Sequence, residues 1–352
     1  MPDIKIGHHR IAPDAPTFVI AEIGVNHNGD LALAKHMVIE AKRAGADCVK
    51  FQTFKAERVA TAGAGKAQYQ LLSTDPAESQ LEMLRKLELP EAYYPDLLAL
   101  CAQQDILFLS TPYNVEDVDL LARYDVPAYK VASAMCVEPR FLQRIGREGK
   151  TVILSTGMAD LGEVEEGIEA LRAGGTRDII LLQCTTDYPA RFEDTNLLAM
   201  KTLATAFDLP VGFSDHTQSC TASSLAVALG GRVIEKHFTT DKSLPGPDQS
   251  TSADPREFAQ LVRAIREAET VLGSAVKKPS ERERINAEGM RRSIVSKIHI
   301  EAGTQITSDM LTFKRPATGI PPRDWDSVVG TIASKTIVAD EILQWSSLER
   351  GD

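Results

Sequence analysis

Two segments, SDHT at 214–217 and EKHF at 235–238, put His216 and His237 at matching ends of consecutive apolar runs. Two imidazoles at one level can share a divalent cation and leave positions for water and a substrate oxygen. That suits an open catalytic site better than a closed structural zinc site. Lysines lie in similar settings: Lys50 in VKFQ, Lys130 in YKVAS and Lys236 in EKHF. Lys is rarely buried without a partner, so the plain reading is three separate salt bridges. The chemical reading is that Lys50 and Lys130, with the hydroxyls of Ser133, Ser155 and Ser214, form a pocket for a phosphate or carboxylate. The STGM and SDHT segments would add backbone N–H groups to it. Glu22 follows an apolar run and is a candidate general acid or base, or a partner for one lysine. The residues after it, Asn26 to Gly29, read as a turn and helix cap, which makes His27 part of that turn rather than a third metal ligand.

These groups share a position in the pattern. Eight apolar runs, FVIAEIG, DCVKFQTF, ILFLSTP, AYKVAS, TVILSTG, IILLQCTT, LPVGFSDH and RVIEKHF, recur along the first 240 residues. Each ends in polar side chains: Glu22, Lys50 with Gln52, Thr111, Lys130 with Ser133, Ser155, Thr185, Ser214 to His216, and Lys236 with His237. Helical periodicity follows most runs, as in LALAKHMVIEAKRAGA, VEDVDLLARYD and LGEVEEGIEALRAGG, and two of these stretches end at glycines, Gly45 and Gly174–Gly175. Alternating strands and helices fix an α/β class. Eight units predict a (β/α)8 TIM barrel, in which all eight polar ends meet at one mouth. A doubly wound sheet is the alternative, and no GxGxxG supports it. The polar stretch 61–79 after the second strand predicts a lid over that mouth.

The periodicity stops near Gly273. We therefore expect a catalytic domain over 1–273, a charged linker over 274–290, and a small β-rich domain over 291–352, too short to build a large core alone. The chain has 352 residues, 43% of them apolar, and a formal net charge of −10. That balance, with no basic patch, argues against nucleic acid. No apolar run approaches the roughly 20 residues that span a bilayer, which argues against a membrane protein. Five cysteines, at 48, 101, 136, 184 and 220, lack CxxC spacing and read as reduced thiols of a cytoplasmic protein, with Cys184 the best placed for reactivity.

The segments AEIGVNHNGD, VKFQTFKAE, ESQLEMLRKLEL, FLSTPY, ILSTGMA, QCTTDYPARFED, VGFSDHT, VIEKHFTTDK, GPDQS and FKRPATGI resemble the N-acetylneuraminate (sialic acid) synthase family, which includes legionaminic acid synthases. The resemblance implies a barrel with a C-terminal antifreeze-like (SAF) domain. It also implies condensation of phosphoenolpyruvate with an N-acetylmannosamine-type sugar, with a divalent metal, manganese first and magnesium or cobalt otherwise. Carried over by position, Lys50, Lys130, Ser133, Ser155 and Ser214 would hold phosphoenolpyruvate, with Thr111 and Thr186 near it. His216 and His237 would hold the metal, with His237 also counted as catalytic, and Glu22 would be the acid/base group. Gln52, Tyr188 and Asp248 would contact the sugar. Arg315 would reach the N-acetyl group from the small domain of a second subunit, in a domain-swapped homodimer. One departure stands out: Met135 occupies a place where the family usually carries an acid. A Schiff-base aldolase using Lys130 or Lys50, and a non-catalytic sugar- or ice-binding protein, are the competing readings.

Overall fold

The computed structural model describes residues 4–350. The chain divides into two compact units, Met1–Gly273 and Ser274–Asp352. The first opens with an antiparallel hairpin, β1 (Ile4–Ile6) and β2 (His9–Ile11). Eight parallel strands follow: β3 (Phe18–Gly24), β4 (Cys48–Thr53), β5 (Leu107–Pro112), β6 (Ala128–Val131), β7 (Thr151–Ser155), β8 (Ile179–Cys184), β9 (Val211–Asp215) and β10 (Val233–His237). Their hydrogen-bonded order runs from β5 through β4, β3, β10, β9, β8 and β7 to β6. The two ends of that order, β5 and β6, lie beside each other, so the sheet curls into a nearly closed barrel. Each strand coincides with one of the eight apolar runs.

Strand alternation explains the composition of those runs. Outward-facing residues such as Val19, Ala21, Val49, Phe51, Val152 and Leu154 pack in one apolar cluster with the surrounding helices. Inward-facing residues at the N-terminal half of the barrel, among them Phe18, Ile20, Cys48, Leu109, Ile153 and Val233, form a second cluster with Ile4, Ile6 and Ile11. The hairpin therefore plugs that end of the barrel, a role the sequence pattern of residues 4–11 does not announce. Two residues further along each strand the inward side chains turn polar. The barrel is filled by packing at one end and by chemistry at the other.

The helices begin where their caps stand. Asp30 accepts from Ala32 N and Leu33 N at the start of Leu31–Arg43, and Asp160 and Glu163 form a reciprocal box at the start of Leu161–Gly174. Gly45 and Gly175 leave these two helices at positive φ. The expected lid contains a helix, Gln68–Ser73. It is braced by the buried Lys66 ammonium, which donates to Glu78 Oε1 at 3.0 Å, Thr74 Oγ1 at 2.9 Å and Asp75 O at 2.7 Å.

The second unit carries a ten-residue helix, Glu281–Met290, within the stretch read as a linker, and none of its residues is buried. Beyond it stand two antiparallel pairs, β11 (Ser293–Ser296) with β12 (Leu311–Lys314) and β13 (Ile332–Ala333) with β14 (Leu348–Glu349). Ile294, Ile300, Ile306, Leu311, Ile320, Val328, Ile337 and Leu343 give this unit a small core of its own.

Candidate active site

The polar strand ends converge on one pocket, with about 930 Å³ of space open to solvent. Glu22, Lys50, Gln52, Thr111, Lys130, Ser133, Ser155, Tyr188, Ser214, His216, His237 and Asp248 all line it. Thr185 and Thr186 lie outside that lining, Thr186 exposed beside Gly157, and Arg315 is an exposed residue of the second unit. Lys236 also points away. It follows Glu235 in the strand, so alternation turns it to the outer face, where it lies 3.4 Å from Asp215 Oδ2 and donates to Thr217 O.

The residue that alternation does turn inward is Glu235, a central group not singled out in the sequence reading above. Its carboxylate lies 3.3 Å from Lys130 Nζ and 3.8 Å from Lys50 Nζ, and accepts from Ser214 Oγ at 3.1 Å. Lys50 reaches Glu22 Oε2 at 2.6 Å and donates to Thr111 Oγ1 at 3.1 Å. Gln52 Nε2 donates to Glu22 Oε1, and Tyr113 OH donates to Gln52 Oε1. Two buried carboxylates thus offset two buried ammonium groups, which is what makes their burial tolerable. The balance is uneven. Burial pushes Glu22 above the ordinary carboxylate range against the pull of Lys50. Burial opposes the charge on Glu235 as well, but Lys130 and Lys50 together hold it low. Glu22 is therefore the carboxyl that more readily carries a proton. Burial lowers Lys130, whereas Glu22 and Glu235 overcome burial and hold Lys50 high.

Across the mouth, β6 to β9 present small donors. Ser155 Oγ is buried without a partner, and Ser133 Oγ accepts from Gly157 N and lies 3.0 Å from Cys184 Sγ. A Cβ at Gly157 would come within 2.6 Å of Thr186 Oγ1 and 2.8 Å of Cys184 Sγ. A side chain at 157 would displace these hydroxyl and thiol groups. Met135 is buried in the apolar layer outside the barrel. It is not among the residues that line the pocket.

The imidazoles of His216 and His237 have ring centroids 5.6 Å apart. His216 Nδ1 lies 2.6 Å from Thr185 O, so it carries the hydrogen and leaves the Nε2 lone pair facing Ser214 Oγ at 3.4 Å. His237 Nδ1 is buried with no hydrogen-bond partner, 3.8 Å from Asp248 Oδ2. Burial lowers His216 to about 4 and His237 well below its ordinary value, and raises Asp248 to about 7. Two neutral imidazoles with free lone pairs are good donors to a divalent cation. Among the described residues no group of three or more His, Cys, Asp or Glu could hold a metal. Tyr188 packs on both rings, 4.2 Å from His216 and 5.5 Å from His237, and Tyr69 of the lid lies 4.9 Å from Tyr188.

Residues 37–277 match the NeuB family and residues 291–349 match the SAF domain. The chain is 44% identical over 330 residues to an N,N'-diacetyllegionaminic acid synthase of Campylobacter jejuni, covering 93% of this chain and 99% of that one. Identity is also 44%, over 336 residues and 94% of each chain, with the synthase of the same name from Legionella pneumophila. The crystal structure of an N-acetylneuraminic acid (sialic acid) synthetase from Leptospira borgpetersenii, in complex with citrate, superposes with a TM-score of 0.73 at 32% identity, over 82% of this chain and 95% of that one. With a barrel mouth of paired lysines, carboxylates and imidazoles followed by a SAF domain, this chain belongs to the NeuB family.

Proposed function

We propose that the chain condenses phosphoenolpyruvate with the aldehyde of an N-acylated mannosamine-type sugar and releases inorganic phosphate by C–O cleavage. The observation that carries this is one mouth holding both an anion cradle and two neutral imidazoles. Lys50 and Lys130, with Ser133, Ser155 and Ser214, bind the carboxylate and phosphate of phosphoenolpyruvate, and Thr111 orients Lys50. The methylene carbon attacks the aldehyde carbon, and Glu22 delivers a proton to the aldehyde oxygen. Water adds to the resulting oxocarbenium carbon and loses a proton. The carbon–oxygen bond to phosphate then breaks, leaving a nine-carbon 2-keto acid. The lysines balance negative charge throughout. A divalent cation at His216 and His237, manganese first, would polarise the aldehyde as a Lewis acid. Gln52, Tyr188 and Asp248 meet the sugar's hydroxyl and amide groups.

Glu22 and Glu235 hold Lys50 in its charged form, and a Schiff-base aldolase has no use for two neutral imidazoles beside the anion pocket, so the aldolase reading is the weaker one. We place the reaction in the cytoplasm, consistent with five free cysteines and, among the described residues, no helix long and apolar enough to cross a membrane. Arg315 completes the site from the SAF domain of a second copy, which makes the working unit a domain-swapped homodimer. Phosphoenolpyruvate labelled with 18O in its C–O–P bridge should yield labelled inorganic phosphate, dependent on the sugar and abolished by a chelator. Unlabelled phosphate would overturn C–O cleavage, and full turnover in excess chelator would overturn the metal.

A further inference from the structure

The pocket is chemically lopsided. Around β6 to β9 its lining is mostly polar, from Lys130 through Ser133 and Ser155 to His216, whereas beyond Glu22, Lys50 and Gln52 on β3 and β4 it turns apolar at Val25, Met83, Leu84 and Leu87. Val25, just past β3, clusters with Phe54, Met83 and Leu87, and Leu84 packs against the same group. Met83 and Leu87 are buried by this packing yet still border the pocket. They come from the segment Gln80 to Leu87, whose first turn is fixed by the Ser79–Glu82 capping box. Two carboxamides interrupt the wall. Gln70, from the lid, accepts from Ala67 N at 2.9 Å and lies 3.4 Å from Gln80 Nε2.

The condensation fixes which end of the sugar meets this wall. Phosphoenolpyruvate occupies the anion cradle, so the aldehyde carbon must lie between that cradle, Glu22 and the imidazoles. Past its contacts with Gln52, Tyr188 and Asp248, the far end of the sugar then extends toward the wall. N-acetylmannosamine would bring hydroxyls there at carbons 4 and 6. A 2,4-diacetamido-2,4,6-trideoxy hexose brings an acetamido group and a methyl group. An apolar surface leaves a hydroxyl without a partner and accepts a methyl, and a pair of carboxamides suits an acetamide.

We propose that Val25, Met83, Leu84 and Leu87, with Gln70 and Gln80, form the specificity-determining wall of the site, selecting the methyl- and acetamido-bearing end of a 2,4-diacetamido-2,4,6-trideoxymannose over the hydroxylated end of N-acetylmannosamine. This rests on the condensation proposed above. A wall of this kind discriminates a hydroxyl or a methylene by about ten- to two-hundredfold.

The test compares kcat/KM of the full-length protein for the two sugars at saturating phosphoenolpyruvate, in wild type, Leu84→Gln and Leu84→Met. Wild type should favour the diacetamido sugar at least about tenfold. Leu84→Gln should shrink that ratio to within about threefold, mainly through the KM of the diacetamido sugar, with the KM for phosphoenolpyruvate unchanged, and Leu84→Met should keep the wild-type ratio. Equal use of both sugars by wild type, or preference for N-acetylmannosamine, overturns the proposal even if no variant folds. A ratio unmoved in a folded Leu84→Gln overturns the assignment to this wall. If neither sugar consumes phosphoenolpyruvate, the condensation itself is wrong and the wall's role falls with it.

Discussion

Two buried charge clusters occupy opposite faces of the same sheet, and they differ in how completely they are satisfied. Outside the barrel, Asp215 Oδ1 accepts from Thr217 N and Thr217 Oγ1, both at 2.8 Å, and its Oδ2 accepts from Ser223 Oγ at 2.6 Å with Lys236 beside it. No atom of that cluster is among the buried polar atoms left without a hydrogen bond. Inside, Glu235 Oε2, Ser155 Oγ and His237 Nδ1 all lack one. A protein interior rarely tolerates such gaps without a reason. The outer cluster is finished, and ties β9 and β10 together. The inner cluster is waiting for partners, and we read those partners as substrate groups and a cation. Burial and charge alone do not separate a structural lysine from a binding one; unspent hydrogen-bonding capacity does.

The sharpest attempt to break this contrast is Glu22→Gln. It keeps the shape and the bond from Gln52 but cannot deliver a proton, so kcat should fall about 10²- to 10⁴-fold while circular dichroism stays native. Near-normal turnover would remove Glu22 from the acid/base role. Next comes Lys236→Met against Lys130→Met. The first leaves Asp215 buried with no counter-charge, so denaturant unfolding should register a loss of about 3–5 kcal/mol with an unchanged KM for phosphoenolpyruvate. The second should raise that KM about ten- to a hundredfold, as loss of a charge-assisted contact does. If Lys236→Met raised the KM comparably, the two clusters would not be functionally distinct.

The smallest effect concerns pH at the barrel rim. Asp117 accepts from Tyr113 N and lies 3.6 Å from Arg58, and burial, stronger than that pairing, raises its carboxyl from 3.8 to about 6. Between those values the folded chain keeps a proton that the unfolded chain has released, so this group's contribution is fullest below about pH 4 and fades as pH rises through 6. Asp117→Asn cannot titrate. Its Tm should therefore change less between pH 4 and 6.5 than that of wild type, and parallel Tm profiles would count against the raised value.

Much of the architecture was legible before any coordinates. A strand buried on both faces must be an apolar run, and eight runs with polar ends and helices between them have few other ways to pack. That Lys50, Lys130, three serines and the two imidazoles of His216 and His237 line one pocket followed from position within those runs. Met135 was legible only as a departure, and the fold gives it an ordinary place in the apolar layer outside the barrel.

The sequence by itself determined the repeat, the polarity of each strand and the residue types at the mouth. It did not determine which of Glu235 and Lys236 faces inward. Adjacent residues in a strand point opposite ways, and the choice depends on how the closed sheet is staggered, a property of all eight strands together. Nor could it bring Met83, Leu84 and Leu87 to the wall above Glu22, because about 60 residues separate them in the chain and only packing onto Val25 and Phe54 joins them. The hairpin that closes the far end of the barrel was hidden for the same reason. Short segments carry little periodicity of their own, and their place is decided by the apolar surface that the rest of the fold leaves uncovered.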